Sequence, residues 1–192
     1  GDGRVYNYDK MVFTYTGSSY SIGGKGSVSG ALVIPYYYDD GVNGKYVVDE
    51  IVNKAYYGHT SLTSVQTSNQ IKIIGDSAFS YCVNLISIII PNSVTSICNS
   101  AFLVCSNLVS VTIGSGVISV GDNAFNSCDS LTTVNYKGTQ EQWEQISIGS
   151  NNTNSKDLNL SASIYAPEHI AAVQDDMQGL VTELILEQPK TR

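Results

Sequence analysis

Four cysteines are the residues of this 192-residue sequence best able to bind a metal ion or act as nucleophiles. Cys82, Cys105 and Cys128 follow one another at a constant interval of 23 residues, and Cys98 stands outside that series. A metal site needs ligands that converge on one point, whereas equal spacing places one thiol in each of three successive units. A disulfide framework would leave Cys98 without an evident mate. We therefore predict reduced, buried thiols that fill space, with no metal and no cofactor.

The other residues suited to acid–base or nucleophilic chemistry are few. The only histidines are His59 and His169, and neither has an evident partner for a catalytic triad. The carboxylate pairs Asp39–Asp40 and Asp175–Asp176 are sequence neighbours, whose side chains point to opposite faces in a strand. The sequence also lacks the P-loop, GxSxG and HExxH motifs. It therefore predicts a protein that is not an enzyme and has no catalytic residues.

The cysteines recur because they belong to a longer repeat. The segment IGDSAFSYCVNL (74–85) returns as ICNSAFLVCSNL (97–108) and VGDNAFNSCDSL (120–131), and 51–73 is a degraded copy. Four 23-residue coils therefore run from 51 to 142, and a fixed period with apolar columns predicts stacked coils around one core. In each coil the LISIII segment is expected to form a strand and SAFSYC a helical turn. The predicted fold class is a β-rich repeat solenoid with short helical turns.

The apolar columns of the repeat predict ladders of like side chains inside the solenoid. Phe79, Phe102 and Phe125 are expected to stack on one another, with Tyr56 at the end of the row. The cysteine column is expected to form a buried file behind these rings.

The repeat resembles the BspA-like leucine-rich repeat family, whose unit reads roughly I-G-x-x-A-F-x-x-C-x-x-L-x-x-[IV]-x-[IV]-P. The resemblance covers 51–142 and continues weakly through VNYKGTQEQWEQISIGSNN. It implies a leucine-rich-repeat-like fold. It also implies a surface or secreted protein of bacteria or some protists that adheres to host proteins. Cys98 in the Gly column and Gly114 in the Pro column depart from the family pattern.

Both ends of the solenoid need caps, because an end coil would expose its core and its strand edges. Residues 1–50 carry no repeat and are predicted to form an N-terminal β cap that begins with a hairpin in MVFTYTGSSYSI. Residues 143–165 are predicted to form a C-terminal cap, which a short helix introduces through a capping box of Thr139 and Gln142. Trp143 is expected to cover the last layer of the core.

Residues 166–192 are predicted to form an amphipathic C-terminal helix. Its apolar positions advance by steps of 3, 4, 3 and 4, the spacing of a coiled-coil seam; they are Ile170, Val173, Met177, Leu180 and Leu184. Two interpretations stay open: the helix packs back along the solenoid, or it associates with other copies and makes a homo-oligomer.

Two surfaces are candidates for binding. In the strands, the positions that alternate with core positions should face outward, and they place Ile86, Ile89 and Val109 together beside Thr112 and Gln66. An apolar patch with a polar rim is typical of a contact surface, although the C-terminal helix or another copy could cover it. The second surface is the run Tyr36, Tyr37 and Tyr38, since exposed tyrosine suits protein or sugar contact; the alternative is that these rings form the core of the cap.

The charge and composition of the chain argue against some classes of binding partner. The formal net charge is −7 and only 14% of residues are charged, which argues against nucleic acid and anionic membrane surfaces as partners. No apolar run is long enough for membrane insertion. We expect an extracellular or cell-surface location, with an export signal removed ahead of GDGRVYNYD.

The sequence favours a non-catalytic, adhesin-like repeat domain that mediates protein–protein contact, with a host surface or matrix protein as the expected partner. Two alternatives remain. The first is a structural subunit of a fibre or tail assembly that associates through its C-terminal helix. The second is a carbohydrate-binding module that uses the tyrosine-rich cap.

Overall fold

The chain winds through two β-sheets in the computed structural model, which describes residues 6–152. The strands, in chain order, are β1 (Met11–Tyr15), β2 (Tyr20–Gly24), β3 (Gly30–Val33), β4 (Tyr37–Asp39), β5 (Lys45–Ile51), β6 (Leu62–Gln66), β7 (Ile73–Ile74), β8 (Ser87–Ile90), β9 (Ser96–Ile97), β10 (Ser110–Ile113), β11 (Ser119–Val120), β12 (Thr133–Tyr136) and β13 (Ser147–Ile148). The larger sheet has the order β1-β2-β5-β7-β9-β11-β13, with β4 paired to β5, and the smaller sheet has the order β12-β10-β8-β6-β3. From β5 onward the chain alternates between the two sheets, which confirms the predicted repeat solenoid.

Successive coils stay in one register because the repeat has no gap. In the smaller sheet Ser87 pairs with Ser110 and Ser110 with Thr133, all in parallel. In the larger sheet Ile74 pairs with Ile97 in the same way. Each column of the sequence therefore lies directly over itself in the next coil.

The core contains the predicted row of aromatic rings. The ring centroids of Tyr56, Phe79, Phe102 and Phe125 are separated in turn by 5.5, 5.4 and 5.2 Å, with neighbouring planes within 11° of parallel. All four side chains are buried. This row joins the inward-facing side chains of both sheets in one continuous core, so the coils are held by burial along the whole stack.

The SAFSYC segment is a series of turns and not the expected helical turn. The N–H groups of Ala78, Ser80 and Cys82 bond to carbonyls three residues back. The N–H groups of Ser77, Phe79 and Tyr81 instead reach the carbonyls of Asn99, Ala101 and Leu103 in the next coil. Ser77 and Tyr81 also have positive φ angles of 55° and 61°, outside the right-handed helical region. Hydrogen bonds to the neighbouring coil therefore take the place of a local helical hydrogen-bond pattern.

The N-terminal segment contributes strands to both sheets. The predicted hairpin is present, with β1 and β2 antiparallel. However, β2 pairs in parallel with β5, and β3 pairs in parallel with β6. Stacking thus begins ahead of residue 51, because β2 and β3 give one strand to each sheet as a repeat coil does.

A short helix lies between β12 and β13 in the last described layer. Helix α1 (Gln140–Glu144) has the predicted capping box, in which Thr139 accepts from the N–H of Gln142 and the Gln142 side chain accepts from the N–H of Thr139. Trp143 is buried and its ring lies 5.2 Å from that of Tyr136. Part of the predicted C-terminal region lies outside the described residues: residues 153–165 of the cap, His169, Asp175–Asp176 and the helix seam Ile170, Val173, Met177, Leu180 and Leu184.

Candidate functional site

The outward face of the smaller sheet carries three large aliphatic side chains. Ile86 is 55% exposed, Ile89 is 59% exposed and Val109 is 43% exposed. They stand on and beside β8 and β10 because the inward positions of these strands are taken by Ile88, Ile90 and the equivalent core residues of the next coil. We call Ile86, Ile89 and Val109 the aliphatic patch.

The parallel ladder brings the predicted patch residues side by side. The N–H of Val109 donates to the carbonyl of Ile86 at 2.8 Å, and Ile89 pairs directly with Thr112. Gln66 lies one position beyond the pairing of Val65 with Ile88, so it flanks Ile89 on the other side. Adjacent strands in a sheet are about 4.8 Å apart, so Val109 lies beside Ile86, and Thr112 and Gln66 lie on either side of Ile89.

The face around the aliphatic patch carries no charge. Its exposed and half-buried positions along and just before β6, β8, β10 and β12 include only isoleucine, valine, tyrosine and uncharged polar residues; they are Thr63, Ser64, Gln66, Ile86, Ser87, Ile89, Val109, Ser110, Thr112, Thr132, Thr133, Asn135 and Tyr136. A partner would therefore be held by apolar contact and neutral hydrogen bonds. Long-range electrostatic attraction would contribute little at this face.

The tyrosine run lies elsewhere, at the N-terminal end of the molecule. Tyr36 and Tyr37 are exposed, and their ring centroids are 4.5 Å apart. Tyr38 is half-buried and stacks on Phe13 of β1 with a centroid distance of 3.8 Å. The run is therefore divided: Tyr38 belongs to the packing of the cap, whereas Tyr36 and Tyr37 remain available to a ligand.

A cleft of about 770 Å³ opens beside these rings. We call it the aromatic cleft; its lining is Tyr6, Tyr8, Met11, Phe13, Pro35, Tyr36, Tyr37, Tyr38, Asp39 and Lys45. Within the lining, the ammonium group of Lys45 sits 4.9 Å from the ring centroid of Tyr37, a cation–π contact. The cleft combines aromatic rings with one carboxylate and one ammonium group.

The sequence signalled the tyrosines of this cleft but not the cleft itself. The run Tyr36–Tyr38 is visible by eye, whereas Phe13 and Lys45 come from distant segments. The cleft forms where Phe13 of β1 packs on Tyr38 of β4, and nothing in local composition predicts that contact.

The thiols of the repeat are engaged in main-chain hydrogen bonds. Cys82 donates to the carbonyl of Tyr56 at 3.2 Å, and its burial raises its pKa to about 12. All four cysteines lie within the described residues, and none is in a disulfide. Such thiols are poor nucleophiles because the reactive thiolate is disfavoured.

His59, which takes the cysteine column of the first coil, is likewise part of the packing. Its Nδ1 accepts a hydrogen bond from the N–H of Val28 at 3.4 Å, and its ring meets Tyr56 edge-on. Burial lowers the pKa of His59, so the neutral form that accepts this bond is favoured at neutral pH. The histidine thus joins the N-terminal segment to the first coil.

The acidic loop after β4 satisfies its own donors. The carboxylate of Asp40 accepts from the N–H groups of Val42 and Asn43 and from the Asn43 side chain. These hydrogen bonds lower the pKa of Asp40, and the bond from the Asn43 main-chain N–H has the largest effect. Within residues 6–152 no three His, Cys, Asp or Glu side chains group as metal ligands. The same range contains no helix with the length and hydropathy of a membrane span.

Sequence reasoning missed a second ladder, made of side-chain amides and carboxylates. Asn53 Oδ1 accepts from the N–H of Asp76, Asp76 Oδ1 from Asn99, and Asn99 Oδ1 from Asp122, at 2.8–2.9 Å. The signal was present, because these residues recur at the 23-residue interval. Their oxygens are occupied by the next coil, so the ladder serves cohesion between coils.

Comparison with known proteins gives one family match. A family model described as "BspA type Leucine rich repeat region" matches residues 44–167 in six copies. The match begins ahead of the four coils counted from the sequence and ends beyond them. A search among curated proteins finds no match.

Several solved structures share the fold. A leucine-rich repeat protein from Bacteroides capillosus is 27% identical, with a TM-score of 0.60, over 67% of this chain and 95% of that one. The leucine rich repeat protein of T. pallidum is 20% identical, also with a TM-score of 0.60, over 79% of this chain and 84% of that one. A leucine rich cell surface protein from Faecalibacterium prausnitzii is 24% identical, with a TM-score of 0.55, over 72% of this chain. The chain spans only 41% of that last protein.

Proposed function

The chain belongs to the BspA type leucine-rich repeat family, and from this we propose that it is a non-catalytic protein-binding domain of a bacterial cell-surface or secreted protein. The location is supported by the Faecalibacterium relative, whose description is a leucine rich cell surface protein. The proposed partner is a host surface or matrix protein, in an adhesin-like role. The binding surface is the aliphatic patch with Gln66 and Thr112 at its rim.

One observation carries the proposal: three large aliphatic side chains are exposed next to one another on a rigid sheet. Ile89 lies on β8, and Ile86 and Val109 immediately precede β8 and β10, where the N–H of Val109 donates to the carbonyl of Ile86. Isolated exposed aliphatic residues are common on any protein, but a contiguous group with a polar rim is typical of an interaction site. The strand backbone beneath is held by the ladder and the core, so binding would order little further structure.

The environment of the potentially reactive groups supports the non-catalytic part of the proposal. The thiol of Cys82 donates to a main-chain carbonyl, and His59 accepts from a main-chain N–H. Asp40 is used by its own turn. A catalytic group needs to face a substrate with a matched pKa, and these groups are committed to the fold.

A binding measurement tests the proposal. The full chain is passed over a panel of purified host matrix proteins immobilised for surface plasmon resonance. We expect one or more to bind, and the double substitution Ile86→Asp with Ile89→Asp to weaken that binding at least about tenfold, since it places two charges in an apolar contact. Raising the salt concentration should leave the affinity nearly unchanged, because the face carries no charge.

The matched control is Ile118→Asp. Ile118 is 66% exposed but precedes β11 of the larger sheet, away from the patch. It should leave binding unchanged. Equal loss of binding in the control and the double variant, or a complete lack of binding to the panel, would contradict the proposed role of the patch.

A further inference from the structure

We infer that the aromatic cleft is a second binding site, and that its ligand is a neutral oligosaccharide. The site lies at the N-terminal end, on β4 and the segments around it, whereas the aliphatic patch lies on β8 and β10. The inference is therefore independent of the proposed protein contact. It rests on the arrangement of rings, on the pair of charged groups beside them and on the size of the cleft.

The exposed rings of the cleft are held in place before any ligand arrives. The Tyr36 hydroxyl accepts a hydrogen bond from the side chain of Gln70 at 2.7 Å. The ammonium group of Lys45 lies over the ring of Tyr37. Beneath them, Tyr38 is fixed by its stacking on Phe13. Rings fixed in this way lose little conformational entropy on binding, so flat apolar faces of a ligand can stack on them at low cost.

The polar groups of the cleft select the chemistry of the ligand. Asp39 and Lys45 face each other in the antiparallel pair of β4 and β5. Asp39 Oδ1 accepts a hydrogen bond from the N–H of Gly41. The other carboxylate oxygen can accept a hydrogen bond from a ligand. An ionised carboxylate only accepts hydrogen bonds, and an ammonium group only donates them. A ligand that satisfies both must carry donors and acceptors close together.

Sugar hydroxyls meet this requirement, because each one both donates and accepts. A proline-rich peptide, the other ligand that commonly docks on exposed aromatic rings, lacks N–H donors at its prolines and would leave the Asp39 carboxylate unsatisfied. One carboxylate balances one ammonium group in the lining, which favours a neutral ligand. The volume of about 770 Å³ falls within the range of roughly 300–1,000 Å³ that is usual for small-ligand sites.

The test is calorimetric titration of the full chain with defined neutral oligosaccharides. The probe set contains linear glucose, xylose, mannose and N-acetylglucosamine oligomers and, as a rival, a polyproline peptide. We expect at least one oligosaccharide to bind and the peptide not to bind. Tyr37→Ala should then weaken that binding at least about fivefold, since it removes a stacking ring, and Tyr37→Trp should restore it.

The matched control is Tyr57→Ala. Tyr57 is 49% exposed and Tyr37 is 45% exposed, but Tyr57 lies outside the cleft and pairs with Tyr81. Its substitution should leave sugar affinity unchanged, and melting curves of both variants check that each remains folded. Asp39→Ala should also weaken binding, because it removes the acceptor.

Three results would overturn the inference: no oligosaccharide of the set binds at millimolar concentration, the polyproline peptide alone binds, or Tyr57→Ala weakens binding as much as Tyr37→Ala. None of these results bears on the aliphatic patch, which the matrix-protein panel tests separately.

Discussion

The thiol of Cys105 donates a hydrogen bond to the main-chain carbonyl of Phe79 across the coil boundary, with a sulfur–oxygen distance of 3.2 Å. Cys128 bonds to the carbonyl of Phe102 at the same distance. The cysteine column thus satisfies a buried carbonyl of the preceding coil while it fills space behind the rings. Cys98 has a different environment, because it lies half-buried outside this column.

We expect Cys98 to be the one thiol that iodoacetamide modifies in the native protein, because Cys82, Cys105 and Cys128 are buried. Burial, together with the nearby carboxylates of Asp76 and Glu50, raises the pKa of Cys98. Its labelling at neutral pH should therefore be slower than that of a small-molecule thiol and should accelerate as the pH rises. Peptide mass mapping measures the sites. Cys98→Ser should abolish native labelling, and early modification of Cys105 would contradict the buried column.

We expect Tyr56→Phe to stabilise the protein. The Tyr56 hydroxyl is buried without a hydrogen-bond partner among residues 6–152, and the equivalent position of later coils is phenylalanine. Removing an unsatisfied buried hydroxyl should raise the free energy of unfolding by about 1 kcal/mol. Urea denaturation measures it. The control is Tyr20→Phe, which should cost about 1 kcal/mol because the buried Tyr20 hydroxyl donates to the carbonyl of Gly44; a gain in both variants would refute the explanation.

Phe102→Ala should lower the free energy of unfolding by about 3–5 kcal/mol, the usual cost of a large cavity in a core. The ring stacks on Phe79 on one side and on Phe125 on the other. Since each coil contacts mainly its neighbours, the unfolding transition should also broaden as the two halves of the stack lose cooperativity. Ile89→Ala is the control and should change stability by less than about 0.5 kcal/mol, because that side chain is exposed.

Val104→Gly should increase stability by about 0.5–1 kcal/mol. Val104 has a φ of 58°, in the left-handed region that costs an L-residue roughly 1–2 kcal/mol. Glycine adopts that region without this cost, and Gly58 occupies the same column with a φ of 71°. Thermal melting measures the change. The control is Val83→Gly, which should destabilise the protein, because Val83 does not have a positive φ and glycine relieves no strain there. If both substitutions destabilise the protein, the packing of the Val104 side chain contributes more than its backbone strain costs, and the prediction is wrong.

Deletion of residues 167–192 tests the C-terminal seam, which lies outside the described residues and stays a prediction. We propose that Ile170, Val173, Met177, Leu180 and Leu184 mediate self-association. The full chain should then sediment as an oligomer and the truncated chain as a monomer, with almost unchanged melting of the solenoid. A monomeric full chain at high concentration would end this proposal and weaken the fibre-subunit alternative.

Sequence alone was sufficient for the solenoid and its ladders. A repeat of constant length places each side chain over its equivalent in the next coil, so the Phe79–Phe102 stack follows from the period, and the exposure of Ile89 follows from strand alternation. The fold class is therefore encoded by local, repeated pattern. The ladder of side-chain oxygens at Asn53, Asp76, Asn99 and Asp122 could have been predicted in the same way, since these residues recur at that interval.

Only the tertiary structure decided the features that depend on which distant segments meet. The sequence left open whether the Tyr38 side chain contacts a ligand or packs within the cap. In the structure β1 lies beside it, and the Tyr38 ring stacks on Phe13. The local sequence before residue 51 does not show which strand β2 meets, and in the structure β2 pairs in parallel with β5. These outcomes depend on hydrogen bonds and packing between segments without a shared sequence period, and local propensity carries no information about such pairings.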